Sequence, residues 1–342
     1  MLSYLTYPTW LSPEVIPGLP VRWYGLMYLV AFAMTFALVR IQVRRRSLDV
    51  SSDDTMNMFF WMIIGLLLGA RLLSALLYQP DMMYWRQPWL IFWPFRNGRF
   101  VGLVGMSYHG GLLGAVAGGV LYCVRRGWHV REWADIITVS APLGYTFGRI
   151  GNFLNAELFG RVTTAPFGMV FPTAPRFPAS EEWVAATARE VGIQITDPGM
   201  MINLPRHASQ LYQAALEGVI LWAILWFLVA PRAQRRGVVT ASYVIGYGIA
   251  RFVGEYFRQP DADLGFVLPL SGDPGPIHML TSFVDFTMGQ VLSMLMIAAG
   301  LVLLFVFLRT DRQRERIPSY GKPETATPGK NRNRAKRARK KS

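Results

Sequence analysis

Lysine is absent from the first 321 residues of this 342-residue chain. All five lysines come later, in a tail over 309–342 that holds thirteen Lys or Arg against three Asp or Glu. Cysteine is nearly absent as well. Cys123 stands alone, so no internal disulfide and no cysteine-based metal site can form. The four histidines, His109, His129, His207 and His278, are widely spaced. Without a cysteine cluster beside them they argue against a bound transition metal, and neither metal nor cofactor is expected. Charge is scarce overall, at 16% of residues, against about a quarter in an average soluble domain. HExxH, GxSxG and a Walker A sequence are all missing, which excludes the zincin helix, the nucleophile elbow and the P-loop. No basic stretch leads into an early apolar run, so a cleavable signal peptide is not expected.

Apolar length is what the chain does have. Hydrophobic residues make up 52% of it, gathered in segments at 23–39, 58–78, 103–124, 136–153, 211–230, 238–257 and 288–308. At about 1.5 Å per residue each spans, or nearly spans, a hydrocarbon core of about 30 Å. The expected fold is an all-α integral membrane protein, a seven-transmembrane-helix bundle. Arginine orients it. Arg40, Arg44, Arg45 and Arg46 follow the first segment, Arg125, Arg126 and Arg131 the third, Arg232, Arg235 and Arg236 the fifth, and the basic tail the seventh. The link after the sixth carries Asp261, Asp263, Asp273 and Asp285 instead. The positive-inside rule then puts the N-terminus on the periplasmic side and the C-terminus in the cytoplasm. The expected organisation is a periplasmic N-terminal segment at 1–22 and a membrane domain at 23–308. A tryptophan-bearing periplasmic arm at 79–102 and a small periplasmic head at 155–206 interrupt that domain. A basic, disordered cytoplasmic tail follows at 309–342, suited to anionic lipid headgroups rather than to nucleic acid.

Topology converts position into depth. Tyr24, Arg71, His109, Arg149, Asn152, His207, Gln210, Glu217, Tyr247, Arg251 and Glu255 all fall toward the outer leaflet, although their segments run in opposite directions. Tyr247, Arg251 and Glu255 are spaced i, i+4, i+8 and share one helix face. Gly110, Gly114 and Gly118 repeat every four residues, a spacing that lets helices approach closely. Each polar residue alone also fits a plainer role: Arg71 or Glu217 as a charge partner, Arg251 with Glu255 as a buried ion pair, His109 as a satisfied helix histidine. Their convergence at one depth favours a shared outer-leaflet cavity. Arginine suits phosphate, and a phospholipid headgroup is the phosphate available there. A phospholipid or solute transporter with such a cavity is the alternative reading. Transporters commonly show internal repeats and a midplane site, and neither is visible here. A non-enzymatic receptor would not need so many ionisable groups at one depth.

The stretch Gly148–Gly160 reads G-R-I-G-N-F-L-N-A-E-L-F-G. It matches the signature G-R-x-G-N-F-x-N-x-E-x-x-G of the bacterial prolipoprotein diacylglyceryl transferases, and the chain resembles that family over nearly all of 20–310. Further matches are Arg22-Trp23-Tyr24-Gly25-Leu26, Tyr108-His109-Gly110-Gly111-Leu112-Leu113-Gly114, and His207-x-Ser209-Gln210-Leu211-Tyr212. Arg251-Phe252 with Glu255 and Arg258, and then Thr287-Met288-Gly289-Gln290, follow in family order. The chain departs from the family pattern at Ala208, Gln213 and Leu295, and in a longer insertion around 268–277. The resemblance implies transfer of the diacylglyceryl group of phosphatidylglycerol to the lipobox cysteine of a prolipoprotein, at the bacterial inner membrane, with no cofactor. It implies critical roles for His109, Arg149 and Arg251, and substrate-binding or supporting roles for Tyr24, Asn152, Glu157, Gly160, Tyr247 and Glu255. The expected chemistry uses neutral His109 as base toward the thiol. Arg149 and Arg251 clamp the departing phosphate, Glu157 and Glu255 hold those arginines, and Asn152 and Tyr24 orient the substrates. Arg71, His207, Gln210 and Glu217 are further supporting candidates.

Overall fold

The computed structural model describes residues 4–310 apart from 17, 19–20, 78–82, 97, 101, 103–104, 261–263 and 273. The basic tail therefore lies, beyond Thr310, outside the described residues. The long helices are α1 (Trp23–Arg45), α2 (Ser52–Leu77), α3 (Tyr108–Arg125), α4 (Val130–Leu154), α6 (Ser209–Val229), α7 (Val238–Glu255) and α8 (Met288–Thr310), with the short α5 (Glu182–Glu190) between α4 and α6. Four of them, α1, α2, α6 and α8, are long and apolar enough to cross a membrane. Helix α8 exposes Leu292, Leu295, Leu301, Val302 and Phe305 along its length. An apolar helix left bare on its outer faces is at home in lipid, not in water. Helices α3, α4 and α7 are interrupted by small and polar residues: glycines and His109 in α3, Asp135 and Arg149 in α4, and Arg251 and Glu255 in α7.

Local chemistry sets the helix starts. Ser51 accepts the Asp54 N–H at 2.9 Å at the head of α2, with Asp53 and Asp54 in the first turn. Ser107 accepts the Gly110 N–H at 3.2 Å and caps α3. At α8 the cap is reciprocal. Thr287 Oγ1 accepts the Gln290 N–H at 3.4 Å, while Gln290 Oε1 accepts the Thr287 N–H at 3.0 Å, a capping box. Helix α6 is wound as a π-helix over Ala214–Ile220 and again over Ile224–Val229. Such local widening recurs at functional sites, and Glu217 lies in the first of these turns.

Glycine carries much of the packing. Helices α2 and α3 cross through Gly65 and Gly69 against Gly110 and Gly114, where any added Cβ would collide with a facing backbone carbonyl. The four-residue glycine spacing thus does what it predicts. Below this crossing Val39, Val43, Met58, Trp133 and Ile136 form one apolar core, and Leu38, Val139, Leu225, Trp226 and Val239 another.

The segment between α4 and α6 folds around its own core of Val162, Phe177, Val184, Ala188, Ile202 and Leu204. The N-terminal stretch joins it, with Leu5–Thr6 pairing in parallel with Met169–Val170. The connection before α8 joins it too: Val162 N donates to the His278 carbonyl at 2.8 Å, and Met279 packs on its core. Between α2 and α3 lies a shorter insertion with a helical turn at Met83–Arg86 and a hairpin of Phe95–Arg96 with Arg99–Phe100.

Candidate active site

Three helices deliver one buried line of alternating charge. On α4, Arg149 follows Tyr145 by one turn, so guanidinium and phenol meet. Arg149 Nε donates to Tyr145 Oη at 2.5 Å, and the guanidinium lies 5.0 Å from the centre of the Tyr145 ring. Tyr145 Oη donates in turn to Glu217 Oε2 of α6 at 2.5 Å. The other oxygen of Glu217 is 3.8 Å from Arg251 Nη1 of α7. Arg251 Nη2 reaches Glu255 Oε2, one turn on, at 2.6 Å. Glu255 Oε1 accepts from Thr287 Oγ1 at 3.2 Å, just before α8, and lies 3.6 Å from Arg258 Nη1. Glu217 is 0% and Glu255 2% exposed. Carboxylates this deep must be paired to stay charged, and the line supplies a cation to each.

Glycines make the room. A Cβ at Gly289 would run into the Glu255 carboxylate at 2.6 Å, and one at Gly254 would press on Glu217 at 3.3 Å. Beside them Gln213 is fully buried, and neither of its amide atoms has a hydrogen-bond partner among the described residues. The site therefore keeps donors and acceptors that its own side chains do not use.

Arg149 also opens onto a cavity of about 500 Å³, within the usual range for ligand pockets of roughly 300–1,000 Å³. Tyr24, Arg149 and Asn152 are among its polar lining residues, and Phe32, Phe59, Met62, Ile63 and Leu66 among its apolar ones. Asn152 is held by Glu157, which accepts from its Nδ2 at 2.9 Å. The Glu157 carbonyl accepts from Gln210 Nε2 at 2.7 Å.

The family profile described as Prolipoprotein diacylglyceryl transferase matches residues 14–306. The chain belongs to the prolipoprotein diacylglyceryl transferase family. It is similar to the phosphatidylglycerol–prolipoprotein diacylglyceryl transferase of Treponema pallidum, at 51% identity over 316 residues, covering 88% of this chain and 94% of that one. The Treponema denticola protein of the same description is 45% identical over 334 residues, covering 92% and 98%. That of Campylobacter jejuni is 36% identical over 286 residues, covering 83% and 89%.

Most of the residues singled out from the sequence meet. Arg149, Asn152, Glu157, Gln210, Glu217, Arg251 and Glu255 lie in the connected set just described. Tyr247 approaches it edge-on, its ring 6.0 Å from that of Tyr145. Gly160 and His207 pair through backbone at the rim, Gly160 N donating to the His207 carbonyl at 2.8 Å. Burial, with Arg161 nearby, pushes the His207 imidazole down to about 4 and keeps it neutral.

Two candidates stand elsewhere. His109 occupies the first turn of α3, exposed, with its ring 5.7 Å from that of Tyr108, and no hydrogen bond among the described residues joins it to Arg149 or Arg251. Arg71 is buried, but it serves the α2–α3 insertion. It donates to the Ile91 carbonyl, to Gly105 O at 3.3 Å and to Tyr84 Oη at 3.0 Å. Sequence reasoning missed Tyr145 and gave Thr287 no role. Tyr145 was findable from its place four residues before Arg149, and Thr287 from the T-x-x-Q pattern that opens α8.

Proposed function

We propose that this chain transfers the diacylglyceryl group from phosphatidylglycerol to the lipobox cysteine thiol of prolipoproteins, forming a thioether and releasing glycerol phosphate. The observation that carries the reading is the position of Arg149, where an apolar cavity meets the buried line of arginines and carboxylates. Acyl chains fit the apolar part, and the phosphate then meets Arg149. The thiol sulfur attacks the glycerol carbon bonded to phosphate. A sulfur–carbon bond forms, the carbon–oxygen bond breaks, and glycerol phosphate leaves with the electron pair. Arg149 and Arg251 carry the charge that develops on the leaving phosphate, while Glu217 and Glu255 hold them in place. His109 takes the thiol proton, from a group with an ordinary pKa of about 8.5. Its exposed position on α3 suits a base that meets the peptide rather than the lipid headgroup.

In this reading all seven long helices span the inner membrane, with the N-terminus periplasmic and the C-terminus cytoplasmic. The site then faces the periplasm, beneath the arm at 79–102 and the head at 155–206, and the basic tail at 309–342 touches anionic lipid. Purified protein, phosphatidylglycerol and a lipobox peptide should yield a peptide carrying a diacylglyceryl mass gain on cysteine. Well-folded protein that gives no such product refutes the assignment. His109→Gln with near-normal turnover at neutral pH would remove its role as base.

A further inference from the structure

We infer that Tyr145 is a positioning residue of this site, holding the guanidinium of Arg149 and keeping Glu217 from capturing it; the inference rests on the reaction proposed above. The hydroxyl sits between two charged partners, 2.5 Å from Arg149 Nε and 2.5 Å from Glu217 Oε2. The direction of both bonds is forced. A guanidinium only donates, an ionised carboxylate only accepts, and a phenol has one proton to give. The proton of Tyr145 therefore points to Glu217, and its oxygen receives Arg149.

The ring is fixed as firmly as the hydroxyl. It lies under the Arg149 guanidinium at 5.0 Å and meets the Tyr247 ring edge-on at 6.0 Å. Held at Nε from one side and against a ring face from another, the guanidinium has its plane set. Its five donors are also rationed. One goes to Tyr145 and at most one to Asn152, whose Oδ1 is 3.5 Å from Nη1. Three remain on the terminal nitrogens for a phosphate. In a direct fork with Glu217, two parallel donors would be committed to the carboxylate. The neutral hydroxyl works as a spacer. It lets one carboxylate serve Arg149 on one side and Arg251, at 3.8 Å, on the other. Tyr145 touches no reacting atom in this scheme and acts through Arg149.

The test is Tyr145→Phe, which keeps the ring and removes the spacer. With phosphatidylglycerol and a lipobox peptide, kcat should fall by about 10- to 100-fold, a misplacement of about 1 Å costing up to about 100-fold, while KM for either substrate stays within about threefold. In an Arg149→Lys background, where no Nε–H remains to be held, the same change should cost less than about twofold. Tyr145→Leu, lacking ring and hydroxyl together, provides a second reading and should show the same insensitivity in that background. A Tyr145→Phe protein with wild-type kcat, or a loss of equal size in both backgrounds, overturns the inference. An inactive wild-type protein would instead overturn the assigned reaction.

Discussion

Replacing Gly114 with alanine tests the crossing of α2 and α3. The added Cβ would land on the carbonyl of Gly65 and lie 3.0 Å from the Gly69 Cα. Both are backbone, so neither can swing aside, and α2 and α3 must separate. Ordinary contact begins near 3.4 Å, so the shift is on the order of 1 Å. A gap of that size forfeits roughly a quarter to a half of each dispersion contact along the seam, and overpacking a fitted interface costs about 1–3 kcal/mol. At the middle of that range, alanine's recovery of up to about 1 kcal/mol of helix propensity leaves a net loss of about 1–2 kcal/mol. For a chain of this size that is a fall in Tm of about 1–3 °C. Gly111→Ala is the control. Its Cβ would sit 3.5 Å from Ala70 Cβ and 3.5 Å from Leu66 Cγ, so propensity should make it neutral or slightly stabilising. Thermal unfolding followed by tryptophan fluorescence in a single detergent compares the two. If both variants melt with the wild type, or Gly111→Ala is the weaker, the backbone-to-backbone crossing is wrong.

Three further outcomes follow from individual contacts. Thr287→Val removes both the α8 cap and the hydroxyl donated to Glu255; it should cost about 1 kcal/mol in thermal unfolding and lower kcat several-fold, and unchanged kinetics would deny Thr287 a part in holding Glu255. His207 is held at about 4 in the fold against an ordinary 6.5, so between those values the unfolded chain takes up a proton that the folded chain refuses. Its contribution is whole above pH 6.5 and is lost as pH falls toward 4, by about 1–2 kcal/mol once its partial exposure is allowed for. His207→Gln should therefore narrow the gap in Tm between pH 7.5 and pH 5, and an undiminished gap contradicts the assignment. Arg71→Ala removes the donors to Tyr84, Ile91 and Gly105. Hydrogen exchange over 83–91 should accelerate, and wild-type protection there would show that the insertion is anchored by other contacts.

Some of this architecture is legible in the residues and some is not, for physical reasons. The long helices are visible because lipid-exposed faces leave apolar runs, and α8 is the plainest case. The ion pair Arg251–Glu255 follows from i, i+4 spacing on α7. The partnership of Glu217 with Tyr145 does not, because it joins α6 to α4 across 72 residues and depends on the winding of α6, which no apolar period records. Arg71 shows the limit of reasoning from charge. A buried arginine in an apolar helix suggests a carboxylate partner or a place in the site, but Arg71 donates to two carbonyls and a phenol of the neighbouring insertion among its contacts with the described residues. Carbonyls are present at every position, so the sequence carries no mark of such a partner. The loop before α8 was expected only as a longer insertion. It also supplies His278 and Met279 to the packing between α4 and α6, and those contacts are invisible without the fold.

The stretch Gly148–Gly160 has a task that its family likeness alone does not explain. It begins in α4 with Arg149, which feeds the buried line through Tyr145. It leaves the helix after Leu154; the amide of Asn152, in the last turn, is tied to Glu157, and the Glu157 carbonyl receives Gln210 of α6. It ends at Gly160, paired with His207 just before α6 and bridged to Arg258 just after α7. No side chain fits at Gly160, because a Cβ would collide with the Phe257 carbonyl and come within 2.7 Å of the His207 carbonyl. Thirteen residues thus join the ends of α4, α6 and α7, the three helices that supply Arg149, Glu217 and Arg251. Contacts of 2.5 and 3.8 Å between side chains on separate helices require the heights of those helices to agree to within about an ångström. The signature therefore both carries a charged residue of the site and fixes the relative positions of the other two. This is why its glycines and asparagines are as much a part of the reading as its arginine.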